Sequence, residues 1–410
     1  MPRDQESRPT PLQIRTATPS SIRAVNRSII LELIRRHQPV SRAELARLTG
    51  IFRSSISDIA DELLADNLIT EERGAPLQRG RVPLSLRLND VSYPVLGLNI
   101  RPSYCQIAWS GLHGRIHGSF VFDTPTSPQK LVQAFGRAVK KPRAEAILKR
   151  CGEFRRIGIA VPGHVDAPTG RILWVPTHKE LNGFPIADEM EAHTGIKTLA
   201  DNDCNVGALS ELWLSPGQNQ ADFIFLNVSD FGTGAGVVSN REIYRGHNAH
   251  FAAEFGHMIV EPSGPPCRCG RSGCWEMFVS NEATWRRAYG ETPFTIENFE
   301  GMLADAKGGE RRALESFRET ARYLSLGVSN MGFAFNPAEV IIAGRITAIW
   351  DLISDTIATR YGSPRLSCSI RPARLSADDS LLHGAICLAL RDTFARPQFG
   401  ELPASGRRSA

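Results

Sequence analysis

Four side chains of the types that bind transition metals lie close together in the sequence, in the order His257, Cys267, Cys269 and Cys274. Three thiolates and one imidazole make a closed tetrahedral ligand set, which is the usual composition of structural zinc and leaves no position for a reactive water. Glycines and prolines between the ligands allow a short loop to fold around one ion. The spacing therefore predicts a structural Zn2+ site, and the alternative is a reduced cysteine-rich turn without metal.

The other five of the eight cysteines are scattered along the 410-residue chain. Cysteines this sparse exclude a disulfide-based scaffold and are typical of a reducing compartment. No stretch approaches the roughly 20 consecutive apolar residues that span a bilayer, and the polar N-terminal residues lack the apolar segment of a secretory signal. We therefore expect a cytoplasmic protein that has no membrane partner.

Positive charge is concentrated at the N-terminal end of the chain. The whole sequence has a net charge of +5, whereas residues 1–57 hold ten arginines, no lysine and four acidic residues, which is 10 − 4 = +6. The guanidinium group suits contacts with phosphates and base edges. This charge indicates either a nucleic-acid partner or simply a solvated surface.

Residues 39–69 have the pattern of a helix-turn-helix motif. Ser41, with a glutamate three residues later, predicts a capped helix, and a glycine at position 50 permits a tight turn before a second helix. Short polar side chains and an arginine at the start of that second helix suit the major groove of double-stranded DNA. Residues 68–88 are predicted to form a two-stranded wing, which adds Arg79 and Arg81 to the DNA-binding surface. The residues that we assign to DNA contact are Ser41, Arg42, Arg53, Ser54, Ser55, Ser57, Arg79 and Arg81. The alternative is a small helical domain that binds protein.

From Val95 onward, short apolar strands alternate with helices, which predicts an α/β architecture. Two glycine-bearing strand turns suggest two similar lobes. The main predicted helices cover residues 130–148, 186–193, 310–335, 349–360 and 382–394. We divide the chain into a flexible tail (1–20), a DNA-binding domain (21–88), an α/β domain (89–395) and a second tail (396–410).

Four segments of the α/β region are GIAVPGHVDAPTGRI, NDCNVGALSELW, VSDFGTGAGVVSNREIYRGH and HFAAEFGHMIVEPSGPPCRCGRSGCWEMFVS. In their sequence and their order they resemble the blocks of the ROK family of repressors and sugar kinases. The N-terminal segment is similar to the winged helix of the repressor branch, so that the resemblance covers roughly residues 21–395. It implies a winged helix-turn-helix domain followed by a two-lobed domain of the actin-like ATPase type, with a sugar bound between the lobes.

The resemblance also assigns sugar ligands. Asn202 and Asp203 match a hydroxyl ligand and the carboxylate that, in the kinases, takes the proton of the attacking hydroxyl. His257 would bind zinc through one nitrogen and face the sugar with the other. Carboxylates, amides and an imidazole suit hydroxyl groups, which both donate and accept hydrogen bonds. The full set of assigned sugar-binding residues is Asn182, Asn202, Asp203, Glu254, His257 and Glu276.

The first phosphate-binding turn that a kinase of this family needs is degraded. Asn99 stands where the resemblance places an aspartate, and Arg101, Pro102 and Ser103 replace the Gly-Gly-Thr turn. Arg345 replaces a glycine near the expected adenine position. Phosphoryl transfer depends on positioning and charge neutralisation, so we predict that the protein is not an enzyme.

Together these features predict a sugar-responsive repressor of carbohydrate-utilisation genes. Its partners would be double-stranded DNA and a sugar or sugar phosphate, and it would act as a homodimer or homotetramer with two recognition helices on DNA half-sites. One alternative is a ROK-type kinase that phosphorylates a hexose with ATP and carries an added DNA-binding domain. Another is a repressor whose signal is a protein.

Overall fold

The computed structural model describes residues 19–73, 84–139, 153–214, 221–247, 252–361 and 368–394. These residues form two compact units, one of residues up to Asn89 together with 391–394 and the other of residues 90–390. The predicted tails at 1–20 and 396–410 lie outside the described residues, apart from residues 19 and 20. None of the described helices combines the length and the apolar character needed to cross a membrane.

The N-terminal unit is a winged helix-turn-helix, as predicted. Its elements are α1 (Pro19–His37), α2 (Arg42–Thr49), α3 (Arg53–Ala65), β1 (Ile69–Arg73) and β2 (Leu84–Leu88). The two strands pair in antiparallel fashion, with Ile69 opposite Leu88. Arg79 and Arg81, which we placed in the wing, lie outside the described residues.

Local sequence signals explain the helix boundaries in this unit. The Ser41 hydroxyl accepts a hydrogen bond of 3.1 Å from the backbone N–H of Glu44, which is one half of the predicted capping box. Helix α2 ends at Gly50, whose φ of 71° lies in the left-handed region that glycine adopts at little cost. Helix α3 buries Ile56 and Leu63 completely, so its apolar face is the one that the sequence periodicity predicts.

The larger unit contains two five-stranded sheets of the same topology. The first consists of β3 (Val95–Ile100), β4 (Tyr104–Ser110), β5 (Ile116–Asp123), β6 (Arg156–Val161) and β9 (Lys197–Asn202), in the order β5-β4-β3-β6-β9. The second consists of β10 (Phe223–Val228), β11 (Thr233–Ser239), β12 (Glu242–Tyr244), β13 (Glu339–Gly344) and β14 (Ser369–Pro372), in the order β12-β11-β10-β13-β14. A short hairpin of β7 (His164–Asp166) and β8 (Arg171–Trp174) follows β6.

In each sheet the first three strands along the chain pair with their neighbours in antiparallel fashion. The last two strands along the chain run parallel to the first one. This shared order confirms the prediction of two similar lobes. Every residue of β3 and of β10 is buried, which is typical of central strands that are covered on both faces.

Nine helices of the described chain complete the larger unit and its C-terminal end. They are α4 (Pro128–Val139), α5 (Ile186–Thr194), α6 (Asp203–Leu214), α7 (Glu276–Val279), α8 (Asn281–Tyr289), α9 (Ile296–Lys307), α10 (Arg311–Phe335), α11 (Trp350–Tyr361) and α12 (Ala377–Phe394). The second half of the helix predicted over 130–148 lies outside the described residues from position 140 onward.

Helix α12 begins at Ala377, earlier than the predicted start at residue 382. The Ser376 hydroxyl caps it by accepting a 3.2 Å hydrogen bond from the N–H of Asp379. The first turn is polar and therefore lacks the apolar spacing on which the prediction relied.

Helix α12 packs closely on the first sheet. A Cβ atom on Gly158 of β6 would lie 1.9 Å from the carbonyl oxygen of Ala385. Only glycine permits this close approach of α12 to the first sheet.

Candidate metal centre, sugar cleft and DNA-binding surface

The predicted metal ligands converge in space. One ligand atom from each of His257, Cys267, Cys269 and Cys274 lies within 4.8 Å of all the others. The Cys269 and Cys274 sulfurs are 3.5 Å apart, and His257 Nδ1 is 3.6 Å from the Cys267 sulfur. A tetrahedral zinc centre with Zn–S bonds of about 2.3 Å holds its sulfurs roughly 3.8 Å apart. The donor set and its spacing therefore fit one zinc ion, which would fix the fold of this loop when bound.

Two glycines with left-handed backbone close the loop that carries the cysteines. The φ angles are 88° at Gly270 and 70° at Gly273. A Cβ atom on Gly273 would lie 1.6 Å from the carbonyl oxygen of Glu261, so a larger residue requires the backbone to move. The N–H of Cys267 donates to the carbonyl of Arg271 over 2.7 Å, and this bond fixes the turn between the first two cysteines.

Glu276, which we assigned to the sugar, lies against the metal cluster. Its Oε1 atom is 2.9 Å from the Cys267 sulfur and 3.6 Å from His257 Nδ1. Nδ1 is thus the nitrogen of His257 that faces the cysteines, and Nε2 is the nitrogen that the predicted sugar contact would use. The carboxylate of Glu276 also adjoins the glycine loop that starts β11, because a Cβ atom on Gly232 would lie 2.9 Å from its Oε2 atom.

Glu254 and His164 form a second part of the site, and His164 was missed from the sequence. The Glu254 Oε1 atom lies 3.5 Å from His164 Nε2. Burial lowers the pKa of His164 to about 4, with a contribution from the nearby His257, so the contact is not a salt bridge at neutral pH. Although 41% of the Glu254 side chain is exposed, burial raises its pKa to about 7, and the charges of Glu276 and Asp203 add to the shift. The signal for His164 was present in the family block GIAVPGHVD.

Asn202 and Asp203 lie where β9 ends and α6 begins. Asn202 Oδ1 accepts hydrogen bonds from the N–H groups of Cys204 (2.9 Å) and Asn205 (3.2 Å), which caps the helix. Its Nδ2 group donates to the Gly163 carbonyl over 2.9 Å. Asp203 is 8% exposed, and burial raises its pKa. The structure thus uses Asn202 to hold the helix start that presents Asp203.

Asn182, the remaining residue assigned to the sugar, serves a turn in this structure. Its Oδ1 atom accepts a 2.7 Å hydrogen bond from the N–H of Val175. The side chain is exposed. Its amide N–H groups are the part that can contact a ligand.

Arg101, in the turn between β3 and β4, sits beside Asp203. Its Nη1 atom lies 3.9 Å from Asp203 Oδ2, and its Nε atom lies 3.4 Å from Asp378 Oδ1 at the start of α12. The hydroxyl of Tyr104 donates to the other oxygen of Asp378 over 2.7 Å. Only 11% of the Arg101 side chain is exposed. Burial opposes its charge, but the two carboxylates outweigh burial and raise the pKa of Arg101.

Arg345, which we predicted to stand where a kinase has a glycine, is also paired. Arg345 follows β13, and its Nε atom lies 3.5 Å from Oδ1 of Asp230 in the glycine loop. Its Nη1 atom bonds the carboxylate of Glu300. Asn281 donates a further 2.8 Å hydrogen bond to Asp230. The glycine loop therefore carries a carboxylate that is fixed by an amide and a guanidinium.

The residues assigned to DNA contact on α3 differ in exposure. Arg53 and Ser54 are exposed at its N-terminal end, whereas Ser55 and Ser57 are half-buried. Arg53 also borders a surface depression lined by α2 residues, which are Ala43, Glu44, Ala46 and Arg47. Arginine and short polar side chains at this end match the arrangement that reads base edges in helix-turn-helix proteins.

Arg42 has a role inside the unit. Its guanidinium pairs with Asp61 of α3 at 2.8 Å and with Glu71 of β1 at 2.9 Å, and it also donates to the Ser57 carbonyl over 3.4 Å. These contacts join α2, α3 and the wing. Arg42 thus contributes to the shape of the surface, whereas Ser41 is used as a helix cap.

Comparison with known proteins gives a consistent match. A xylose repressor of Caldicellulosiruptor bescii is 25% identical over 407 residues, covering 92% of this chain and 98% of the repressor. A glucokinase of Streptomyces coelicolor is 29% identical over 264 residues, covering 60% of this chain and 80% of the kinase. The crystal structure of a ROK family transcriptional regulator, a homologue of the Escherichia coli MLC protein, covers 92% of this chain and 99% of its own with a TM-score of 0.76 and 22% identity.

The last comparison shows a shared fold, namely a winged helix-turn-helix followed by a two-lobed α/β domain of the actin-like type. The sequence model of the ROK family matches residues 102–392, which is more than half of the chain. This protein therefore belongs to the ROK family.

Proposed function

We propose that this protein is a sugar-responsive transcriptional repressor. The observation that carries the proposal is the combination, in one chain, of a winged helix-turn-helix with a ROK domain whose β3–β4 turn holds Arg101 in internal ion pairs. The xylose repressor aligns with 92% of the chain, whereas the glucokinase aligns with 60% of it. The longer match supports a regulator over an enzyme.

We assign DNA binding to the start of α3 and to the wing. Arg53 and Ser54 would face base edges in the major groove, because they are exposed at the helix end that carries positive partial charge. Arg79 and Arg81 would contact the DNA backbone beside it and add affinity without sequence preference. A homodimer or homotetramer would bind two half-sites.

The effector in this proposal is a sugar that lies between the lobes. Its hydroxyl groups would contact the carboxylates of Asp203, Glu254 and Glu276 and the Nε2 atom of His257. Asn182 and Asn202 complete the set, although a direct contact from Asn202 requires it to exchange its bond to the Gly163 carbonyl. A structural Zn2+ would hold His257 in place. Asp203 acts as a ligand rather than a base.

A ROK-type sugar kinase is the second candidate, since the glucokinase relative is 29% identical. Transfer of a phosphoryl group from ATP needs its negative charge to be neutralised by correctly placed donors. Arg101 brings a charge of the right sign, but its guanidinium is held by Asp203 and Asp378. In addition, Pro102 has no N–H to offer a phosphate. We therefore infer that ATP turnover is absent.

One experiment separates the two candidates. Preferred DNA sites are selected from a random duplex library with the purified full-length protein, and their affinity is measured by fluorescence anisotropy with and without each of a panel of hexoses, pentoses and their phosphates. We expect at least one sugar to change the affinity. We also expect no sugar-dependent release of ADP from ATP. Steady sugar phosphorylation without any selected DNA site would overturn the proposal.

The role of Arg53 is tested in the same assay. Arg53→Ala should weaken binding to the selected site by about 5- to 150-fold, which corresponds to ~1–3 kcal/mol, and should weaken binding to random DNA much less. Arg318→Ala, which alters an exposed arginine on α10, is the matched control and should change neither affinity. Equal losses on both DNAs for Arg53→Ala would show a phosphate contact instead.

A further inference from the structure

An aromatic side chain is exposed at the start of the proposed recognition helix. Phe52, directly before α3, is 83% exposed. It occupies the N-cap position but makes no side-chain capping hydrogen bond, whereas Ser41 caps α2 in the usual way. Serine, threonine, asparagine and aspartate are strongly preferred at this position because their side chains satisfy free N–H groups of the first turn. Phe52 therefore lacks a local structural benefit.

The fold of the unit does not depend on Phe52 either. Helix α3 is anchored by Ile56, Ile59 and Leu63, which are at most 2% exposed. Within the described part of the chain, the Phe52 ring stacks on no other ring and lies over no guanidinium group. Phe52 lies with the exposed Arg53 and Ser54 at the N-terminal end of α3, which is the end that contacts base edges in helix-turn-helix proteins. Its ring is therefore placed to contact what this helix binds.

The surroundings of Phe52 indicate what it binds. Arg53 follows it, and the nearby depression is lined by Arg47, Glu44 and two alanines of α2. Arg47 pairs with Glu44 at 3.5 Å, so that the exposed guanidinium of Arg53 is the group that favours a polyanion. The aromatic ring favours an apolar group presented next to that charge. In the major groove the one apolar group on a base edge is the C5-methyl of thymine, and phenylalanine is among the side chains that contact it.

We propose that Phe52 is a specificity-determining residue that contacts a thymine methyl group in the major groove of the operator. This inference rests on the proposed DNA-binding function and adds to it the chemical feature that is read. It also explains why a capping residue is absent at Phe52, since the side chain is directed to the ligand rather than to the first turn.

The test is a cycle in which the protein and the DNA are each altered. Each thymine of the selected site is replaced in turn by deoxyuridine, which removes only the methyl group. For the wild-type protein we expect at least one replacement per half-site to weaken binding by about fourfold, the effect of ~0.8 kcal/mol for one methyl-sized group. The Phe52→Ser variant should bind the thymine and deoxyuridine duplexes equally well. The double-mutant cycle of the protein change and the DNA change should therefore give a coupling of about fourfold in affinity.

The choice of serine protects the test from failure of the fold. Serine is a favoured N-cap residue, so Phe52→Ser should have an unchanged or higher Tm. Phe333→Ser removes another exposed phenylalanine, 67% exposed on α10, and is the matched control that should keep the full thymine dependence. Phe52→Leu retains an apolar side chain and should keep part of it.

Each possible result has a clear meaning. A wild-type protein that selects a site but is insensitive to every thymine replacement overturns the inference, as does a Phe52→Ser variant with undiminished sensitivity. If Phe52→Ser instead lowers the oligomeric state in sedimentation and leaves the thymine dependence intact, Phe52 forms a contact between subunits and the inference is wrong. A protein that selects no site at all refutes the proposed function itself, and the two failures are thus distinguishable.

Discussion

Replacement of Arg101 by methionine removes the charge from the turn between β3 and β4 but keeps a long side chain. The guanidinium is 11% exposed and lies 3.4 Å from Asp378 and 3.9 Å from Asp203. Removal of one partner from a buried ion pair costs about 3–5 kcal/mol, because the other charge is left uncompensated. Since 3.9 Å is longer than a direct hydrogen bond, we expect the lower end of that range, ~3 kcal/mol in the free energy of unfolding.

The loss should depend on pH with a definite sign. Burial already raises the pKa of Asp203, and the charge of Arg101 opposes that shift, so the pKa rises further in Arg101→Met. A carboxyl group with a raised pKa in the folded state binds its proton more tightly there than in the unfolded chain. The destabilisation is therefore absent below the unfolded pKa of about 3.9 and grows as the pH rises towards the folded value. We expect a loss of ~3 kcal/mol at pH 8 and of roughly 1 kcal/mol at pH 4.5.

Urea unfolding followed by tryptophan fluorescence reports on the larger structural unit, which contains Arg101, because all six tryptophans lie between residues 90 and 390. The double variant Arg101→Met/Asp203→Asn should recover a large part of the stability at pH 8, since it removes the uncompensated charge. Arg115→Met, at an exposed arginine, should have no effect. A loss of equal size at both pH values, or no recovery in the double variant, would refute the proposed ion pair.

Two further predictions concern the metal centre and the sugar ligands. Cys269→Ser should reduce the zinc content from a stoichiometric amount to little or none in elemental analysis, because serine is a poor zinc ligand. Cys368→Ser is the control and should retain the metal. Retention of zinc in both variants would exclude Cys269 as a ligand. At a pH well above 7, where the Glu254 carboxylate is charged, Glu254→Gln should weaken sugar binding in calorimetry by about 10- to 100-fold, the effect of losing a hydrogen bond to a charged group. The same change should leave DNA affinity unchanged. Glu291→Gln at an exposed position is its control, and equal sugar affinity in both variants would contradict the assignment of Glu254.

The parts of the site that sequence could predict are those in which neighbours in the chain are neighbours in space. The four candidate metal ligands from His257 to Cys274 lie in one short segment, so that their spacing alone limits the geometry. The same holds for Ser41 and Gly50, whose effects on α2 depend on the next few backbone groups. The alternation of strands and helices predicted the α/β class, because each element imposes its own periodicity.

The parts that sequence could not predict depend on contacts between distant segments. The sequence predicts that Arg101 stands in place of a kinase glycine turn. Its pairing with Asp378, however, joins residues 277 positions apart, and no local pattern specifies such a contact. His164 likewise meets Glu254 only because β7 and the segment after β12 converge. Asn202 was predicted as a ligand from its block, whereas its capping bonds follow from where β9 ends and α6 starts.

The contacts of the glycine loop suggest how a sugar could act on the second lobe. A Cβ atom on Gly256 would lie 2.1 Å from the Thr233 carbonyl, and one on Gly232 would lie 2.9 Å from Oε2 of Glu276. Because protein interiors are close-packed, a sugar that moves Glu276 must also move the loop. The loop in turn holds Asp230, which is bonded to Asn281 at the start of α8. Coupling between sites requires a ligand that binds one arrangement of such elements more tightly than another, typically by about 1–3 kcal/mol. A sugar that contacted Asp203 but not Glu276 would leave this loop in place. It would then bind both arrangements equally well and could not couple the two sites, however high its affinity.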